Sequence, residues 1–132
     1  AAQAGVHCLV TADNGVSAFA GVDAAKSLGM TVICTDHHLP GDRLPSSDVM
    51  VNPNQAGCEF RSKSLCGAGV LFYVLLLTRT ELMKRGWFTG NTAPNLSSLI
   101  GLVGCEMICG KKASLALWRR DLKKSTTGQP VR

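Results

Sequence analysis

Three short apolar runs, each closed by polar turn residues, set the frame of the chain. Val6-His7-Cys8-Leu9-Val10-Thr11 is partly β-branched and predicts a strand. Asp13-Asn14-Gly15 ends it with a strong turn signal. Thr31-Val32-Ile33-Cys34-Thr35 predicts a second, buried strand, closed by Asp36-His37-His38 and turned by Leu39-Pro40-Gly41. Asp48-Val49-Met50-Val51 predicts a third. Between the first two strands, Phe19, Val22, Ala25 and Leu28 recur at helical spacing. Ser17 is placed to cap that helix and Gly29 to close it.

Strand, helix and strand joined by short connections imply a right-handed crossover, which makes the strands parallel and puts their C-terminal ends on one edge. The expected architecture is α/β, a three-layer Rossmann-like parallel sheet. Asn52 to Gly57 reads as a loop. A long helix is predicted from about Leu65 to Arg85, with Ser64 before it. Its apolar stretch Val70–Leu77 predicts burial against the sheet, and Gly67 and Gly69 near its start allow close approach of backbone or ligand. Asn91–Pro94 reads as a loop, and Asn95 can cap a short helix through Leu102. Beyond Gly104 no clean periodicity appears, and there is no internal repeat.

Composition narrows the class. The 132 residues are 45% hydrophobic and 17% charged, a globular balance for one domain or part of one. No apolar run approaches the roughly 18 residues of a membrane span. The first residues, Ala1-Ala2-Gln3-Ala4-Gly5, carry neither a basic segment nor an initiator Met, so no secretory signal is read and the chain looks as if it starts mid-protein. A cytoplasmic location is expected. The net charge of +5 is local. Residues 111–132 hold seven basic side chains against Asp121 alone, whereas residues 1–110 are slightly acidic. Such a tail can bind phosphates electrostatically, although a solvated basic face is the commoner meaning of such a run.

The six cysteines are an even number, but Cys8 and Cys34 fall inside predicted strands, where they act as small hydrophobes. Cys105 and Cys109 nearly match zinc spacing, whereas Cys58 and Cys66 do not, so free thiols are expected.

The chemistry gathers at two strand ends. Asp13 follows one strand, and Asp36, His37 and His38 follow the other. Open parallel sheets bind ligands outside the carboxyl ends of their strands. Carboxylate oxygen with imidazole nitrogen suits divalent ions such as Mn²⁺, or Mg²⁺ with more oxygen ligands. A carboxylate can bridge two ions about 4 Å apart, which polarise a phosphoryl group and stabilise a leaving oxygen. Each residue also has an ordinary structural use. Asp-Asn-Gly is a common turn, Asp36 can cap its own turn, and a single His is more often a satisfied core or surface residue.

These motifs resemble the DHH phosphoesterases. The resemblance rests on Val10-Thr11-Ala12-Asp13-Asn14-Gly15 and on Thr35-Asp36-His37-His38-Leu39-Pro40-Gly41. Val51-Asn52-Pro53-Asn54-Gln55 and Ser64-Leu65-Cys66-Gly67-Ala68-Gly69-Val70 narrow it to the single-stranded-DNA exonuclease branch of that family. It runs from the N-terminus to about Val103, so residues 1–103 are expected to be a partial DHH domain and 104–132 a basic tail outside the family.

The resemblance implies two Mn²⁺ or Mg²⁺ ions, bridged by Asp13, with His37 ligating one of them. It implies that His38 faces the substrate phosphate or protonates the leaving group, and that Asp36 orients a neighbouring histidine as a catalytic partner. Asn54, Gly67 and Gly69 are the expected substrate contacts. The implied activity is 5′-to-3′ digestion of single-stranded DNA in recombination and repair. The family's upstream Asp-x-Asp and its later ligating Asp, after the helix near Val103, have no counterpart here; Gly104-Cys105-Glu106-Met107 stands at the second place. The abrupt stop is the pattern that a frameshift or a truncated frame leaves. The expectation is therefore an incomplete metal site with little activity alone, and a half-domain lacking the strands that should cover its sheet. Another DHH hydrolase acting on short oligonucleotides, cyclic dinucleotides or pyrophosphate, and a non-catalytic nucleic-acid-binding or scaffold module, are the alternatives.

Overall fold

The computed structural model describes residues 1–89 and 92–104. Three strands, β1 (Cys8–Ala12), β2 (Thr31–Thr35) and β3 (Val49–Val51), form one parallel sheet in the order β1-β2-β3. The register runs from Cys8 opposite Thr31 to Ala12 opposite Thr35, and from Ile33 opposite Val49 to Thr35 opposite Val51. All three strands therefore end on one rim, as the short crossovers require.

Helix α1 (Phe19–Ser27) and helix α2 (Gly67–Lys84) flank the sheet. Successive strand residues face opposite ways, so the two cores separate by parity. Val32 and Cys34 of β2, with Leu9 and Met50, pack on Val22 and Ala25 of α1. Val51 packs on the other side with Leu65, Val70 and Phe72 of the α2 region. That second core also takes in Val103, Leu96, Leu99 and Ile100, from a 3₁₀ turn (Leu96–Leu99) and the helical residues 100–104 that follow it. The result is the expected three-layer α/β arrangement. Full burial of side chains such as Val32, Leu65 and Phe72 contributes about 1.5–3 kcal/mol each.

Local expectations hold where they depend on sequence alone. Gly29 follows α1 with φ 76° and donates its N–H to Lys26 O. Asn95 caps the 3₁₀ turn by accepting from Ser97 N at 3.0 Å. Others are corrected. Helix α1 is capped at Ala18 rather than Ser17, and α2 at Cys66 rather than Ser64, neither by a side chain. Cys8 is exposed because its face of β1, shared with the 51% exposed Val10, is left open. Leu28 and Leu77 are also exposed, at 63% and 69%, since no described element covers them. Cys8, Cys34, Cys58 and Cys66 are free thiols; Cys105 and Cys109 lie outside the described residues. No described helix is long and apolar enough to cross a membrane.

Candidate metal centre

The loop after β1 is shaped to turn Asp13 sideways. Asp13 sits at φ 56°, a left-handed conformation that Asp tolerates at modest cost. Asn14 N donates to Thr35 O at 3.4 Å, and Thr11 Oγ1 donates to Asn14 O at 2.5 Å, which ties the loop to β2. Gly15 has φ 129°, and a Cβ there would lie 2.8 Å from Cys34 Sγ, so the loop can lie this close to the sheet only with glycine. The Asp13 carboxylate then reaches the neighbouring strand end, with Oδ1 3.0 Å from His37 Nε2.

The end of β2 is organised by Asp36, which is 1% exposed. Its Oδ2 accepts from Val16 N at 2.8 Å. Its Oδ1 accepts from His37 N at 2.7 Å and His38 N at 3.2 Å, and stands 2.7 Å from His38 Nδ1. Burial pushes this carboxyl up, but the hydrogen bonds from Val16, His38 and His37 outweigh burial and hold it below the ordinary value. It is therefore ionised near neutrality and can only accept. The His38 proton must then reside on Nδ1, which leaves Nε2 as the outward-facing nitrogen. The His38 side chain is 60% exposed, open to a ligand.

The start of α2 closes the third side. A Cβ on Gly67 would collide with the Asp13 carboxylate, so the helix abuts that side chain directly. Gly69 is buried and backs onto Leu65. Asn54 is half-buried, and its Nδ2 donates to His37 O at 2.6 Å. Asp13, His37 and His38 thus converge, and one ligand atom from each lies within 4.8 Å of the others. Among the described residues no other triplet of this kind gathers. One carboxylate oxygen with two imidazole nitrogens is a donor set for a divalent transition ion; Mg²⁺ would need further oxygen ligands.

Val16 and Asn52 support the site without having been singled out from the sequence. The backbone N–H of Val16 leaves no sequence signal. Asn52 had one, an Asn-Pro-Asn immediately after a strand, a segment able to hydrogen-bond to nearby backbone.

A parallel α/β sheet with aspartate and paired histidines on its C-terminal rim defines a class. Residues 7–99 match the family described as DHH family, N-terminal domain, and the chain belongs to that family. Within it, the chain is 54% identical over 101 residues to the single-stranded-DNA-specific exonuclease RecJ of Salmonella typhimurium, and 52% identical over 101 residues to that of Escherichia coli. Each match covers 75% of this chain and 18% of the relative. The RecJ of Bacillus subtilis is 43% identical over 70 residues, covering 53% of the chain and 9% of the relative. The chain thus spans less than a fifth of the length of these relatives. No solved structure matches it.

Proposed function

We propose that the chain carries one wall of the catalytic centre of a divalent-metal-dependent exonuclease that hydrolyses phosphodiester bonds in single-stranded DNA. The observation that carries this reading is the convergence of Asp13, His37 and His38 within 4.8 Å on the strand-end rim. Membership of the DHH family and the similarity to RecJ exonucleases support the substrate class. In this reading Asp13 and His37 hold Mn²⁺ or Mg²⁺. Such ions, once bound, polarise phosphoryl oxygens and acidify water. His38, exposed and oriented through Nδ1 by Asp36, presents Nε2 to the phosphate or to the leaving oxygen, and donates to it when the ring carries a proton on both nitrogens. In this reading the start of α2 meets the substrate at Gly67, which abuts Asp13, with Gly69 behind it and Asn54 acting through the His37 carbonyl.

The same proposal gives 5′-to-3′ digestion, in recombination and repair in the cytoplasm, to the longer protein in which this domain works. Residues 1–103 form the partial DHH domain in this reading and 104–132 a basic tail outside it. Asp13 and His37 supply only two donors to a shell of about six, so the 132-residue chain should bind metal weakly and release few nucleotides. Calorimetric titration with Mn²⁺ tests the reading. A heat of binding is expected that disappears in Asp13→Ala. No heat from the unmodified chain would favour a non-catalytic scaffold and overturn the proposal.

A further inference from the structure

The backbone of the two histidines is held by side chains on every side. Their N–H groups are taken by Asp36 Oδ1. Their carbonyls are taken by the loop after β3, where Asn54 Nδ2 donates to His37 O at 2.6 Å and Asn52 Nδ2 donates to His38 O at 2.9 Å. The two asparagines are themselves joined, since Asn54 N donates to Asn52 Oδ1 at 2.8 Å. Asn52 is 3% exposed. Gln55 Nε2 donates to Met50 O and Asn52 O, and Lys63 Nζ donates to Pro53 O and Cys58 O, which fixes the loop from behind.

We infer that Asn52 and Asn54 are positioning residues, a carbonyl clamp that makes adjacent histidines present their rings to the same side. Neighbouring residues of an extended chain point to opposite faces. Here the rings of His37 and His38 lie with centroids 4.5 Å apart. Four hydrogen bonds to the dipeptide backbone hold this departure from extended geometry, and two of them come from the clamp. Asn54 thereby acts on the site through His37, with its amide committed to the His37 carbonyl. The inference deepens the metal-site reading and rests on it for its consequence, whereas the ring geometry stands without it.

The test uses the full chain with Asn54→Ala and Asn52→Ala, and with Val22→Ala as a control destabilised in the distant α1 core. The first readout is the proton–proton Overhauser contact between the His37 and His38 rings without metal. It should be present in the unmodified chain and in Val22→Ala, and lost in the clamp variants. The second is Mn²⁺ affinity, expected to fall roughly tenfold or more in the clamp variants, the scale on which outer partners of metal ligands act. Should Asn52→Ala fail to fold, the half-buried Asn54 position carries the test. Retention of ring contact and affinity in folded Asn54→Ala would overturn the clamp. Loss of ring contact in a chain that never bound Mn²⁺ would leave the clamp standing and remove the metal reading.

Discussion

Asp36 Oδ1 lies 2.7 Å from His38 Nδ1, and this contact decides which imidazole nitrogen faces the site. The carboxylate has no solvent of its own and spends its acceptor capacity on one side chain and three backbone donors. Asp36→Asn keeps the shape but turns one oxygen into a donor that must face an N–H. A loss of about 1–3 kcal/mol is expected in urea unfolding. Mn²⁺ affinity should fall roughly 10–100-fold in calorimetry, because Asp36 Oδ1 also holds the backbone N–H of the ligating His37. Unchanged affinity would refute the orienting role.

Gly67→Ala separates helix propensity from contact. Alanine in a helix is better than glycine by up to about 1 kcal/mol. Here the added methyl meets the Asp13 carboxylate, so the substitution should destabilise the chain and displace Asp13 from His37. Circular-dichroism melts with Mn²⁺ titration check it; a more stable variant that still binds would contradict the packing.

Asp48 gives the pH dependence. Hydrogen bonding from the Lys26 ammonium, then from Val32 N at 2.7 Å, holds its carboxyl below the ordinary value near 3.8. A depressed acid stabilises the fold above its unfolded value, and that contribution disappears as pH falls through the lower folded value. Asp48→Asn should therefore be less stable than the unmodified chain at pH 7, with the gap closing below about pH 3.8. A gap that stays undiminished as the pH falls well below 3.8 would show that the ion pair is not its source.

Two positions of α2 should differ sharply. Phe72 is 2% exposed in the second core, and Phe72→Ala should cost about 3–5 kcal/mol. Leu77 is 69% exposed, and Leu77→Ala should stay within roughly 0.5 kcal/mol. Parallel denaturant titrations measure both; equal losses would mean that Leu77 is covered in solution.

The strands were legible because their apolar runs end at unmistakable turns, and the rim followed from the handedness of the crossover. That logic alone brought Asp13 beside His37 and His38. Helix starts were less legible. Ser17 and Ser64 are good caps locally, but the close packing of Gly15 on β2 and Gly67 on Asp13 sets where the helices begin, at Ala18 and Cys66. Burial of Cys8, Leu28 and Leu77 could not be read either, because an apolar residue does not reveal whether a neighbouring element faces it. The fourfold acceptance by Asp36 depends on Val16, twenty residues earlier, meeting it across the loop.

The outer flank of β1 has a practical consequence. Its amides and carbonyls there have no described ladder partner, and Val10, 51% exposed, lies in one cross-sheet row with Ile33 and with Val49, 46% exposed. A ribbon with open hydrogen-bonding groups beside an oily stripe recruits other chains. Preparations of this polypeptide should therefore cloud as they are concentrated, and a lysine at Val10 should delay the onset.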